Sequence, residues 1–81
     1  KLASPEELIV SYLLGHDTIK NGTGRTVTGI KSENPMKNVF YRLRDRGFIQ
    51  LIHGYNYWKK TDAFERLVHE QFKNLLAEQK E

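Results

Sequence analysis

The sequence has no cysteine, only two prolines and no long apolar run. Without cysteine there is neither a disulfide framework nor a thiolate zinc site, and His16, His53 and His69 are too scattered to indicate a histidine metal cluster. No apolar run approaches the roughly 20 residues that a membrane-spanning helix needs, and no signal peptide is apparent. We therefore expect a soluble domain that holds no metal or cofactor and contacts no membrane.

A chain of 81 residues allows one small domain with a modest core and leaves little room for a deep active-site cleft. Because it begins at Lys1 rather than Met, we expect residues 1 to 81 to be a single domain excised from a larger protein. His16-Asp17 is an adjacent pair of acid-base type, but no nucleophile stands beside it in sequence. The sequence therefore predicts no enzymatic activity for this domain.

Positive charge is concentrated in the middle of the chain. Residues 20 to 60 carry nine lysines and arginines against Glu33 and Asp45, a local net charge of +7, whereas the whole chain has +3. The first 19 and the last 21 residues each sum to −2. A basic centre between acidic ends suits a polyanionic partner.

The stretch "SPEELIVSYLLG" is typical of a helix with a capped start. Ser4 can cap the helix, Pro5 suits its first position, and Glu7 can complete a capping box. Gly15 is expected to end the helix. The predicted apolar face consists of Leu8, Ile9, Tyr12 and Leu13.

The next stretch, "HDTIKNGTGRTVTGIKS", combines turn-forming Asn and Gly with strand-forming Thr, Ile and Val. We predict a short strand at residues 18 to 20, a mobile loop at residues 21 to 24, and a short helix at residues 25 to 31. Val27 and Ile30 would be the buried residues of that helix. A small β-hairpin across the same segment is the alternative interpretation.

The stretch "NPMKNVFYRLRDRGF" predicts a helix from residue 34 to residue 46. Asn34 or Ser32 can cap it, Pro35 would take its first helical position, and Gly47 would end it. An apolar stripe at i, i+3, i+4 and i+7 is formed by Met36, Val39, Phe40 and Leu43. At 100° per residue, the opposite side carries Lys37, Asn38, Tyr41, Arg42 and Asp45, with Arg44 beside it.

The stretch "FIQLIHGYNYWKKT" has the composition of a β-hairpin, with strands at residues 48 to 53 and 56 to 60. Gly54 can supply the positive φ of a tight turn. Strand alternation puts Tyr57 and Trp58 on opposite faces, and we expect Trp58 to be in the core.

The last stretch, residues 62 to 81, predicts a long helix capped by Asp62 with Glu65 three residues on. Its apolar stripe continues to Leu76, further than packing in a domain of this size needs. The outer half would therefore pair with a second copy or with the rest of the parent protein. The alternative is that the whole stripe lies across the first helix. The predicted stripe is Phe64, Leu67, Val68, Phe72, Leu75 and Leu76.

The order of helix, short strand, helix, basic helix, glycine, hairpin and helix resembles the winged helix-turn-helix superfamily. The most telling segment is "NVFYRLRDRGFIQLIHGYNYWKKT", which resembles the end of a recognition helix followed by the two strands of a wing. The resemblance covers about residues 4 to 62 in architecture, and "GTGRTVTGIKS" departs from the Ala- and Leu-rich second helix usual there. It implies an α+β fold with a three-helix core, a hairpin wing and an additional long C-terminal helix.

The resemblance also implies binding of double-stranded DNA, with the third helix in the major groove and the wing on the flanking backbone or minor groove. Arg and Lys can donate to guanine, Asn can pair with adenine, and Tyr can contact a phosphate or a thymine methyl. Such a domain would be an intracellular targeting or regulatory module, in the cytoplasm, nucleoid or nucleus. The implied groove-facing residues are Lys37, Asn38, Tyr41, Arg42 and Arg44, with wing contacts from Tyr55, Asn56, Lys59 and Lys60 and phosphate contacts from Lys20, Arg25 and Lys31.

Two other partners remain open at this point. The same fold can be used for protein contact, in which case an acidic partner would cover the basic face. The aromatic residues Tyr55 and Tyr57 could instead stack on the bases of single-stranded DNA or RNA.

Overall fold

The computed structural model describes residues 3 to 52, 54 and 56 to 73. Within these ranges the chain is a small α+β domain with four helices and a three-stranded antiparallel sheet. None of the helices in this part of the chain is both long and apolar enough to cross a membrane. The elements are α1 (Pro5–Leu13), β1 (Thr18–Lys20), α2 (Asn21–Thr28), α3 (Glu33–Asp45), β2 (Ile49–Leu51), β3 (Tyr57–Lys60) and α4 (Phe64–Gln71).

The sheet has the strand order β1-β3-β2, so β3 is its central strand. Ile19 and Leu51 both pair with Trp58, one from each side. Because side chains alternate along a strand, these three residues share the face of the sheet that covers the core. The predicted pairing of the two hairpin strands is confirmed, but the strands are shorter than the predicted 48 to 53 and 56 to 60. Gly54 has φ +82°, and Trp58 is a core residue at 7% exposure, as predicted.

Helix α1 begins with the predicted capping box. The Ser4 hydroxyl accepts a hydrogen bond from the Glu7 amide at 3.2 Å, and the Glu7 carboxylate accepts one from the Ser4 amide at 2.8 Å. The helix ends at Leu13 with Leu14 as its C-cap, so Gly15 directly follows the cap, as predicted, but without the positive φ of a glycine cap. The buried residues are Ile9, Val10 and Leu13, whereas Leu8 and Tyr12 are half-buried.

The mobile loop predicted at residues 21 to 24 is wrong, because these residues form the first turn of α2. The predicted second helix exists, but it begins at Asn21 and ends at Thr28, where Gly29 adopts φ +79°. The alternative hairpin is wrong as well, since β1 pairs with β3. Val27 and Ile30 pack against the core but stay half-buried.

The close packing of α2 against α3 explains why α2 contains Gly24, a residue that argues against a helix in the sequence. Gly24 is buried, and a Cβ atom built on it would lie 2.8 Å from Phe40 Cζ and 3.1 Å from Met36 Sδ. Real Cβ atoms essentially never come within 3.0 Å of another group. A side chain larger than hydrogen at this position would therefore push α2 away from α3.

Helix α3 starts earlier than predicted. Ser32 occupies the N-cap position without a capping hydrogen bond from its side chain, and Pro35 is the third helical residue rather than the first. The whole predicted stripe of Met36, Val39, Phe40 and Leu43 is buried, which confirms the core face of the helix.

Gly47 ends α3, as predicted. It has φ +90°, its amide donates to the Arg44 carbonyl at 2.9 Å, and the Phe48 amide donates to the Leu43 carbonyl at 3.0 Å. These two hydrogen bonds make a Schellman motif, which turns the chain directly from α3 into β2.

The predicted cap at Asp62 is wrong, because Ala63 takes the N-cap position of α4 and no side chain caps the helix. Phe64, Leu67 and Val68 are buried in α4, and Phe72 directly after it, as predicted. The Phe48 ring meets the rings of Phe64 and Phe72 edge-on at 6.0 and 5.4 Å, which fixes α4 to the core. The continuous helix predicted over residues 62 to 81 is wrong in its extent, because α4 ends at Gln71, where Phe72 adopts the non-helical φ −133° and ψ 46°. Leu75, Leu76 and the rest of the predicted helix from residue 74 lie outside the described residues.

Candidate nucleic-acid interface

The outward side of α3 carries the predicted groove-facing residues. Because the buried stripe occupies one side of the helix, the 100° rotation per residue turns the others toward solvent. All five are exposed: Lys37, Asn38, Tyr41, Arg42 and Arg44.

The exposed side of α3 has two flanks with different surroundings. On the flank toward the hairpin, Lys37 and Tyr41 border a depression of about 370 Å³ between α3, the start of α2 and the hairpin. On the flank toward α1, Arg42 forms an ion pair with Glu6. We call the first feature the α3–hairpin depression; it is lined by Asn21, Glu33, Lys37, Tyr41, Leu51, Asn56 and Trp58.

The Glu6–Arg42 pair occupies one of the predicted contact residues. Burial raises the pKa of the Glu6 carboxyl. The hydrogen bond from Arg42, a backbone hydrogen bond and the positive charges of Arg42 and Arg46 together lower that pKa by more than burial raises it, so the net shift is downward. The carboxylate is thus held ionised, and Arg42, although exposed, already has an acidic partner within the domain.

Arg44 stacks above the exposed face of α3. Its guanidinium carbon lies 4.8 Å from the centre of the Tyr41 ring, and its Nη2 atom lies 3.0 Å from the Asp45 carboxylate. The Tyr41 ring in turn meets Trp58 edge-on at 6.1 Å. A continuous stack of Arg44, Tyr41 and Trp58 therefore connects the helix surface to the hairpin.

The two wing lysines lie on opposite faces of the sheet. Lys60 is on the core face, where its Nζ atom lies 3.9 Å from the Asp17 carboxylate and 5.1 Å from the Phe64 ring centre. Lys59 is exposed on the outer face, in register with Thr18 and Gln50. Lys20 shares that outer face, because it pairs with Tyr57. The structure therefore separates Lys59 and Lys20 from the surface of α3.

The start of α2 contributes polar groups that sequence reasoning missed. Arg25, a predicted phosphate contact, is half-buried and donates from Nε to the Asn21 side-chain oxygen at 2.9 Å. The Asn21 amide nitrogen donates to the Glu33 carbonyl at 3.4 Å. Asn21 and Glu33 thereby reach the depression. Asn21 and Glu33 could have been predicted as site residues only if α2 had been predicted to begin at Asn21. The Asn21-Gly22 pair, which is typical of a turn, favoured a loop there instead. The predicted contact Lys31 is exposed in the connection between α2 and α3.

Leu51 is the other residue that sequence reasoning missed. It is 49% exposed and Tyr41 is 40% exposed, and these two are the exposed large hydrophobic side chains of the described ranges. Leu51 pairs with Trp58 on the core face of the sheet but lies beyond the end of the core, so strand alternation alone does not reveal that it is exposed. Asn56 borders the same depression, whereas Tyr55 and His53 fall outside the described residues.

Comparison with protein-family models, with curated proteins and with solved structures found no match to this chain. Among residues 3 to 52, 54 and 56 to 73, no group of three or more His, Asp or Glu side chains is arranged to hold a metal ion. We therefore infer the function of the domain from the geometry of α3, the α3–hairpin depression and the hairpin.

Proposed function

We propose that this chain is a winged helix-turn-helix domain that binds double-stranded DNA with α3 in the major groove. The observation that carries the proposal is α3 itself, which buries an apolar stripe and exposes a row of hydrogen-bonding side chains on its outward side. An α-helix fits the major groove of B-DNA, where base edges present donors and acceptors.

The arrangement of the other elements supports the proposal. Helix α2 packs behind α3, the hairpin follows α3 after a single glycine turn, and β1 closes the sheet against β3. This order leaves α3 uncovered on its outward side and places the hairpin beside it, as the recognition helix and wing of such a domain require.

The proposal assigns different roles to the basic residues. Lys37 and Asn38 reach base edges or phosphates from the free side of α3, and Arg44 extends the positive surface over Tyr41. Lys31 and Asn56 contact the flanking backbone. Arg42 and Lys60 contribute less, because their charged groups already contact the carboxylates of Glu6 and Asp17.

Fluorescence anisotropy against random duplex DNA, single-stranded DNA and duplex RNA, repeated across a salt series, tests the proposal. We expect tighter binding to duplex DNA, with the logarithm of the association constant falling by about 0.9 per neutralised phosphate for each logarithm of salt. Preferred binding to single strands, or no binding at low salt, would contradict it.

The double variant Lys37→Ala, Asn38→Ala tests the site. We expect weaker duplex binding and a salt slope reduced by about one phosphate, because one cation is removed. The matched control is Arg66→Ala, which removes one charge from α4, where Arg66 pairs with Glu70 at 3.2 Å. Equal binding by the double variant and by the control would disprove the assignment to α3.

A further inference from the structure

The α3–hairpin depression combines an apolar floor with a polar rim. Tyr41 and Leu51 are exposed at 40% and 49%, and the buried Trp58 lies beneath them, in register with Leu51 and edge-on to Tyr41. Lys37 and Glu33 stand at the rim, with Asn21 and Asn56. Tyr41 belongs to the proposed recognition helix and Leu51 lies on the adjoining strand, so a partner bound to α3 would also remove apolar surface of both side chains from water.

Charge indicates what kind of partner fits this depression. Lys37 is at its rim, the Arg44 guanidinium lies 4.8 Å from the Tyr41 ring centre, and Arg25 holds Asn21 in place from below. The described residues that line it include one base, Lys37, and one acid, Glu33, and Asp45 pairs with Arg44 at 3.0 Å. In and around the depression, three basic side chains thus face two acidic ones, which favours a polyanion that presents a small apolar group.

Duplex DNA presents one apolar group in its major groove. This group is the methyl on C5 of a pyrimidine, found on thymine and on 5-methylcytosine, and apolar side chains read it by contact. Cytosine and uracil carry hydrogen at the same position. A methyl group is small enough to enter the space between Tyr41 and Leu51 while the rest of the base stays paired.

We propose that Tyr41 and Leu51 read the C5 methyl group of a pyrimidine in the major groove, so that the depression makes DNA binding depend on methylated pyrimidines. This inference rests on the proposed function, and it adds the chemical group that the site selects. Lys37 and Glu33 at the rim can pair with the polar groups of the neighbouring base edges.

Four pools of random duplex separate the two sources of the methyl group. One pool contains thymine and cytosine, a second contains uracil and cytosine and so has no methyl group, and a third contains uracil and 5-methylcytosine. The fourth contains thymine and 5-methylcytosine. We expect the methyl-free pool to bind most weakly, by roughly fourfold for each methyl contacted, on the basis of the burial of one methyl-sized group. The second and third pools then tell whether 5-methylcytosine suffices.

Variants tie the effect to the depression. Leu51→Asn keeps the side-chain size but removes the apolar contact, so the ratio between methylated and methyl-free pools should fall to about one. Tyr41→Phe keeps the ring and should retain the ratio, and Arg66→Ala should also retain it. Thermal unfolding of each variant checks that the fold persists, which is expected because Leu51 is half-exposed.

The outcomes distinguish this inference from the proposed function. Equal binding to all four pools, or a methyl ratio that survives Leu51→Asn, would overturn the inference while leaving duplex binding intact. Failure to bind any duplex would overturn both. A preference for single-stranded or bulged DNA over every duplex would also overturn it, in favour of an unpaired base in the depression.

Discussion

Gly24 shows how one residue sets the distance between two helices. It lies in α2 where a Cβ atom would come within 2.8 Å of Phe40 Cζ, and Phe40 is fully buried. Helix propensity alone favours alanine over glycine by about 1 kcal/mol. Contact with α3 therefore outweighs propensity at this position.

We expect Gly24→Ala to lower the free energy of unfolding by about 1 to 2 kcal/mol, because the overpacking cost exceeds the gain in helix propensity. Urea denaturation measures this change. Gly22→Ala in the same helix is the matched control, since its nearest neighbour, Arg25 Nη2, would be 3.9 Å away. The control should be stabilised by about 0.5 to 1 kcal/mol. Stabilisation of both variants would show that α2 and α3 are not in close contact.

The ion pair of Glu6 and Arg42 predicts a pH dependence of stability. The pKa of Glu6 in the folded state lies below its ordinary value of 4.5. The ionised carboxylate therefore contributes its full stabilisation of the fold at a pH above the ordinary pKa. This contribution is lost as the pH falls through the lower folded-state pKa.

Denaturation at pH 7 and at pH 3 measures this contribution. We expect the loss of stability between the two values to be smaller in Glu6→Gln than in the unmodified chain, because glutamine does not titrate. Arg66→Ala, which breaks an exposed pair on α4, should show the full loss. An identical loss in Glu6→Gln and the unmodified chain would contradict the assigned ion pair.

At the scale of the elements, the end of α3 determines how the hairpin is presented. Gly47 adopts φ +90°, a conformation that costs other residues about 1 to 2 kcal/mol, and a Cβ there would lie 3.3 Å from Leu67 Cδ1. We expect Gly47→Ala to lower the free energy of unfolding by at least about 1 kcal/mol in urea denaturation. Gly15→Ala, with negative φ and open space around it, should be near neutral. Equal effects of the two substitutions would argue against the Schellman motif.

How well each element could be predicted depends on how local its signals are. The capping box of α1, the stripe and end glycine of α3 and the alternation of the hairpin lie within a few residues of one another, and those elements were predicted correctly in kind. Helix α2 was misplaced because Gly24 serves packing against α3 rather than local propensity. The predicted cap of α4 was wrong by one position, because Ala63 rather than Asp62 precedes the first helical residue, and no side chain caps this helix to mark its start.

The candidate site divides along the same line. The exposed side of α3 follows from helical rotation, so Lys37, Asn38 and Tyr41 could be predicted. The pairing of Arg42 with Glu6 joins residues 36 positions apart, and the role of Leu51 depends on where the core ends. These features arise only from tertiary packing.

In the whole molecule, part of the basic charge in the middle of the chain is paired with acidic residues from its first 19 residues. Glu6 forms an ion pair with Arg42, and Asp17 forms one with Lys60. Five lysines have no ion-pair partner among the described residues. Lys73 follows α4, and the other four mark two surfaces: Lys31 and Lys37 near α3, and Lys20 and Lys59 on the outer face of the sheet. We propose that DNA binds to the first of these surfaces, near α3.

Chemical-shift mapping by NMR, with random duplex DNA added to the ¹⁵N-labelled domain, tests that assignment most directly. We expect the backbone amide signals of α3 from Asn34 to Arg42, and those of Leu51 and Asn56, to shift in proportion to the added duplex. The amide signals of α4 should stay in place. Shifts confined to α4 or to the outer sheet face around Lys20 and Lys59, with α3 unchanged, would contradict it.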